Sequence, residues 1–371
     1  MVEERTRRAA RKRKPKPRLK YLILGLCALL AVAGALILFL PRKPDLAESN
    51  VALPFSAGDS FAVCDTGIAY HKDGAVHVLN ASGDELWYAD FAGDDVKLAL
   101  SPSLAAAYTP SMLKVYDMKG KALFQREFLG TISAVSCSET LVCVCRRTPQ
   151  GSDMTVIDAS GADVNTIDMG AQNAVAFGVD DALKMIWILT LDTSAGTPVS
   201  RISTYTGGST ISGLITVDTH LVKGALFTPD EVYALGSTHV MCYDYKGALA
   251  SSQLVYGWNI HDVKMGASGK PLIVLTPPLK EGANAFEYPM ARLISYGMSE
   301  SLLYLPPECF HVLLGNDRIY CFTPGTVYVY NLEGRQDESY PLGITIDRVG
   351  PVCGTRVLAF SGQDCYLVSL P

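Results

Sequence analysis

Val78-Leu79-Asn80-Ala81-Ser82-Gly83 is a phrase of two apolar residues, an amide, two further residues and a glycine. It returns as Val115-Tyr116-Asp117-Met118-Lys119-Gly120, as Val156-Ile157-Asp158-Ala159-Ser160-Gly161 and as Val329-Tyr330-Asn331-Leu332-Glu333-Gly334. One residue is added in Met241-Cys242-Tyr243-Asp244-Tyr245-Lys246-Gly247, and looser copies end near Gly207 and Gly297. These glycines lie 37, 41, 46, 40, 50 and 37 residues apart, spacings that bracket one propeller blade. Physically the phrase is a hairpin: Asn or Asp bonds back to the backbone two residues on, and Gly supplies the positive φ that lets the next strand return.

Upstream of each strong copy lies a second strand and turn, as in GIAYHKDGAVHVLNASG and RIYCFTPGTVYVYNLEG. Two successive hairpins make a four-stranded meander that buries both faces only by stacking between neighbours, and radial closure of the set leaves short, protected edges. The chain is therefore read as all-β, a β-propeller of about eight four-stranded blades spanning 51–371. The expected repeats are 61–93, 94–130, 131–169, 170–218, 219–257, 258–307 and 308–343. In 344–371, GTRVLAFSGQDCYLVSL aligns with the preceding repeat but stops before an outer strand. Residues 51–55 are expected to supply that strand and close the ring with the two termini. Seven blades is the alternative, if one repeat is an insertion.

The N-terminus is of another kind. From Tyr21 to Leu40 runs YLILGLCALLAVAGALILFL, 20 residues without a charge, which as a helix spans roughly 30 Å of hydrocarbon. Residues 1–20 carry ten Lys/Arg against Glu3 and Glu4, whereas only Arg42 and Lys43 follow the apolar run. The positive-inside rule then places a basic tail (1–20) in the cytoplasm and everything beyond the transmembrane helix (21–40) outside. A cleaved signal peptide is the competing reading; the apolar run exceeds the usual 7–15 residues of such a segment, and no clear cleavage site follows. Residues 41–50 (PRKPDLAESN) read as a semi-extended linker. The expected location is thus the cell membrane, single-pass, with the lipid bilayer as the partner of Tyr21 to Leu40 and the propeller extracytoplasmic. Residues 45–371 carry 20 Lys/Arg against 35 Asp/Glu, which argues against nucleic acid as a partner, because phosphate binding needs a basic face. Basic ligands and cations stay open.

At Gly83-Asp84-Glu85-Leu86-Trp87 the first repeat resembles the quinoprotein-type propeller repeat, in which a strand bearing tryptophan follows the turn glycine. Trp187 and Trp258 occupy other places and later repeats lack the tryptophan. The plan of basic tail, one membrane helix and divergent propeller also resembles a bacterial family of membrane-anchored propeller proteins, the DUF5711 type. That resemblance covers nearly the whole chain, rests on architecture, and implies a fold and a location without an activity.

Chemical motifs are sparse. The quinone-dependent enzymes with this repeat use a vicinal cysteine pair; here Val144 separates Cys143 from Cys145 and puts both on one strand face, so no cofactor is expected. Nine cysteines lie beyond the membrane run, most inside apolar strand runs such as LVCVCRR. They read as packed free thiols, with one bridge at most. His71, His77, His220, His239, His261 and His311 show no short metal-binding spacing, and His77, flanked by Val76 and Val78, is read as solvent-facing. Neither a Gly-x-Ser-x-Gly elbow nor a P-loop nor a G-x-G-x-x-G is present. No catalytic residue and no metal is assigned.

What remains is surface. Tyr243, Tyr245, Tyr256 and Trp258 crowd one repeat, and the insertion 277–289 (PPLKEGANAFEYP) interrupts the next. Inter-blade packing explains most of these aromatics, while a loop on a rigid scaffold is where binding resides. The candidate binding residues are Glu281, Phe286, Tyr288, Tyr245, Tyr256 and Trp258. The function expected is a non-enzymatic scaffold that binds an envelope protein or glycan through one mouth of the ring, with an extracytoplasmic hydrolase or lyase in the channel as the alternative. Asp, His and Arg converging in the channel would favour the enzyme; an aromatic mouth would favour the binder.

Overall fold

The computed structural model describes residues 46–371 apart from 195, 208–209, 267, 279–287 and 296–298. The expected basic tail, the run from Tyr21 to Leu40 and the first half of the linker lie outside the described residues. Among those described, no helix is long and apolar enough to cross a membrane.

Described strands form eight antiparallel four-stranded sheets. Seven are simple meanders, covering 60–90, 97–127, 131–170, 173–217, 222–254, 259–304 and 311–341. The eighth, Arg348–Cys353, Arg356–Ser361 and Asp364–Ser369, takes its outer strand from the beginning of the domain, Val51–Ser56. Val51 pairs with Leu367 and Ala52 with Tyr366, so the ring closes as the sequence predicts, with eight blades. First strands touch across most neighbouring blades, including blades 8 and 1, which makes the first strand of a blade the inner one.

The repeated phrase folds as expected. Asn80 Oδ1 accepts the Ser82 and Asp84 N–H groups at 2.8 and 3.0 Å. Asp117, Asp158 and Asp244 accept the corresponding pairs. Each turn is followed by a slip in register, as between Val78 and Leu79, the mark of a bulge that leads the third strand into the outer one.

Hydrophobic burial is divided into eight clusters, and each lies between two successive blades. Ile132, Val142 and Val144 face blade 2, whereas Cys143, Cys145 and Met154 face blade 4. Middle strands such as Leu104–Tyr108 are consequently buried at every residue, because alternate side chains enter different cores. The nine cysteines of the described region are all free thiols, seven of them buried. Burial pushes the Cys143 thiol up to about 12, so it behaves as a small apolar side chain. Leu46, 2% exposed, packs between blades 7 and 8, and Asn50 Nδ2 donates to the Leu342 carbonyl at 2.5 Å. The chain is therefore seated on the propeller before its first strand.

Candidate functional site

In a four-stranded meander, the hairpin between second and third strands and the link to the next blade emerge at the same end of the ring. At that end, beside blades 6, 7 and 8, lies a pocket of about 650 Å³. His261 and Tyr288 come from blade 6, Phe310 and His311 from the entry to blade 7, Asp347 and Arg348 from the entry to blade 8, and Gly362 and Gln363 from its hairpin.

Local backbone irregularity aims the blade 6 residues. The register slips between Ile260 and Asp262, and a bulge of this kind re-aims the extra side chain. His261 Nε2 accepts the Val312 N–H of blade 7 at 3.2 Å, and Asp262 Oδ2 accepts the Leu314 N–H at 2.7 Å. The first of these bonds leaves Nε2 of His261 unprotonated. Ring centroids of His261 lie 4.8 Å from His311 and 5.3 Å from Tyr288. Burial lowers both imidazoles; for His311 it does so to about 3, with His261 beside it adding to the effect. Both rings are uncharged at neutral pH.

On the opposite wall, Asp347 Oδ2 accepts the Gly362 N–H at 2.7 Å. The Arg348 guanidinium lies 4.1 Å from the centroid of Phe360 and forms no ion pair among the described residues. Asp, His and Arg do converge here, but the acid-base groups are committed to holding backbone or are tuned away from neutrality. A histidine that titrates near 3 is a poor base and is not protonated to serve as an acid at neutral pH. Among the described residues, no three of His, Cys, Asp and Glu gather as a metal would require. Among the described residues the pocket offers rings, neutral hydrogen-bonding groups, one guanidinium and the Asp347 carboxylate that holds the Gly362 N–H, which is binding chemistry.

Of the six residues singled out from sequence, four are among the described residues, and of these the pocket takes in Tyr288 alone. Tyr256, 74% exposed, and Trp258, under the Arg292 guanidinium at 5.9 Å, lie on the link from blade 5 to blade 6. Tyr245 sits at the opposite end, where its hydroxyl donates to the Thr228 carbonyl at 2.8 Å and its ring fills the space over Gly213; it is an inter-blade packing residue. Glu281 and Phe286 lie outside the described residues. His77 is a strand residue, bonded through Nδ1 to Glu85 Oε2 at 2.9 Å and stacked on Tyr70. His261, His311 and Arg348 were missed because local spacing cannot pair them. Aligning repeats would have found them, since each stands at the start of an inner strand.

The His311 environment makes stability depend on pH. Its proton binds more weakly in the fold than at its ordinary 6.5, so the unfolded chain protonates first and stability is lost as pH falls from about 6.5 towards 3. At pH 5 the loss from this residue is about 2 kcal/mol. Asp262, whose carboxyl is raised by burial, acts in the opposite sense. Urea denaturation at pH 7 and pH 5 is expected to show this loss, reduced in His311→Gln; equal pH dependence in the two proteins would refute the assignment.

No family model matches the sequence, and no curated protein does. Solved propellers do match in fold. BamB from Moraxella catarrhalis superposes with a TM-score of 0.51 at 16% identity, over 86% of this chain and 98% of that one. Sqt1 from Saccharomyces cerevisiae gives 0.59 at 11% identity, over 86% and 98%, and the WD40 domain of SCAP from fission yeast gives 0.55 at 11%, over 87% and 98%. At such identities the similarity concerns the fold: this chain is a β-propeller like those of BamB and the WD40 proteins.

Proposed function

We propose that this protein is a non-enzymatic scaffold anchored in the cell membrane by the run from Tyr21 to Leu40, with its propeller outside the cytoplasm and an envelope protein docked on the pocket end of the ring. The observation that carries this reading is an exposed apolar rim at that end. Leu254, Tyr256 and Tyr304 are 56%, 74% and 72% exposed. Arg292 ties two blades together beneath them, reaching the Leu254 carbonyl at 3.4 Å and Glu300 through a two-pronged ion pair. Rigid aromatics beside an arginine are the composition of an interface centre, and they lose little conformational freedom on docking. The membrane part rests on the sequence alone.

Crosslinking in intact cells followed by mass spectrometry tests the proposal. The full-length protein is expected to capture specific envelope proteins, and the double variant Tyr256→Asp, Tyr304→Asp to lose them at unchanged abundance and membrane association. Identical capture by both proteins would place the interface elsewhere; capture of no protein, with retention of envelope glycan instead, would replace the protein partner with a glycan.

A further inference from the structure

Charge is segregated by strand position. Inner strands carry Lys97, Lys223, Lys264 and Arg348 against Asp180 and Asp262, and Asp262 is committed to the backbone of blade 7. Outer strands carry Arg126 alone against two carboxylates each in blades 1, 3 and 7 and one each in blades 2 and 6. Lys97 is paired with Asp95 at 3.5 Å; with Lys223, Lys264 and Arg348 besides, the inner strands carry less acid than the outer ones, and a local excess of basic groups draws an anion. The suitability for cations suggested by overall composition applies to the outside of the ring.

At the mouth, one cation is held ready. The Arg348 guanidinium carbon sits over the Phe360 ring, 4.1 Å from its centroid, which restricts where its fork can reach, and it has no ion-pair partner among the described residues. Around it the pocket walls are Tyr288, Phe310 and the neutral His261–His311 pair. Asp347, the one carboxylate in the lining among the described residues, spends an oxygen on the Gly362 N–H. A planar fork with rings nearby fits a planar anion carried on an apolar or aromatic body. A volume of about 650 Å³ falls within the size range of small-ligand pockets, roughly 300–1,000 Å³.

We propose that this pocket binds a carboxylate, gripped by Arg348, with the ligand's ring or apolar body against Tyr288, Phe310 and the histidine pair. The carboxylate belongs either to a free aromatic acid or to the C-terminus of a polypeptide. This deepens the reading of the pocket end as the binding end and rests on it.

Titration of the full-length protein in detergent micelles, followed by ligand-observed NMR, decides the matter with four probes: benzoate, benzamide, N-acetylphenylalanine and N-acetylphenylalanine amide. At least one acid is expected to bind about ten- to a hundredfold more tightly than its amide, the range for a charge-assisted pair. Arg348→Gln should abolish that preference and Arg126→Gln should preserve it. Preference for benzoate would mark a free acid as the ligand, and preference for N-acetylphenylalanine a chain terminus. Acids and amides that bind alike, or not at all, would overturn the proposal, and that comparison needs no variant to fold. If the rim variant loses its crosslinks while acids and amides remain indistinguishable, the scaffold reading stands and the carboxylate site falls.

Discussion

Phe55→Ala is expected to lower the unfolding free energy by about 3–5 kcal/mol, the cost of removing a buried phenylalanine from a core that cannot collapse around the hole. Phe55 is 3% exposed, stacks on Tyr70 at 4.9 Å and meets Phe61 at 5.5 Å. It belongs to Val51–Ser56, the strand by which the beginning of the domain completes blade 8. Its partners Tyr70 and Ile68 lie in blade 1, while Phe360 and Leu367 lie in blade 8. Losing the ring weakens blade 8 and its interface with blade 1 together, and the ring has only this one junction between its ends. Leu53→Ala, on the same strand but only half-buried, should cost about 1 kcal/mol. Urea denaturation of the wild type and both variants checks this. A Phe55→Ala protein within 1 kcal/mol of wild type would mean that the N-terminal strand does not close the ring.

The second large effect is expected at a turn glycine. Gly120 has φ of +84°, and a Cβ there would stand 2.8 Å from Trp87 Cγ in the preceding blade. Gly120→Val therefore meets both a left-handed backbone that β-branched residues resist and the indole of Trp87 at less than van der Waals contact, together about 3 kcal/mol or more. Gly74 separates the two effects, since its φ is +78° with nothing within 4 Å of a Cβ; Gly74→Val should cost about 1–2 kcal/mol. In the Trp87→Ala background the Gly120→Val penalty should shrink by at least about 1 kcal/mol, giving a coupling measurable in a double-mutant cycle. Additive penalties would show that Trp87 does not clamp the turn.

That pair explains a resemblance the sequence shows only in part. Trp87 stands four residues past Gly83, and it covers Gly120, the turn glycine of the next blade. Phe124 stands four residues past Gly120 and covers Gly161 in the same way, while Val51 covers Gly83 across the ring closure. The contact is preserved while the residue making it changes, so a search for tryptophan finds one repeat and a search for geometry finds several. Blade limits were legible because most blades are punctuated by a local device, Asn or Asp with Gly, whose hydrogen bonds span at most four residues. The closing strand was legible because the last repeat is visibly one strand short.

The pocket was legible only in fragments. Tyr288 was reached through its loop, but His261 and His311 are 50 residues apart, and no short-range pattern joins them. Tyr245 looked like part of a binding surface with Tyr256 and Trp258, yet third-strand turns and blade links emerge at opposite ends of a meander. Composition misled about charge for a related reason: a sum over 45–371 does not separate inner strands from outer ones.

By itself the sequence determined the all-β class, a ring of about eight repeats with seven left open, their turn chemistry and the strand that closes the ring, because each of these depends on residues adjacent in the chain or on a repeat count. Only the tertiary structure decided which residues meet at the mouth, which charges lie on inner strands and which aromatics are packing. Those outcomes depend on radial stacking, which brings equivalent positions of successive repeats together and gives alternate side chains of each strand to different neighbours.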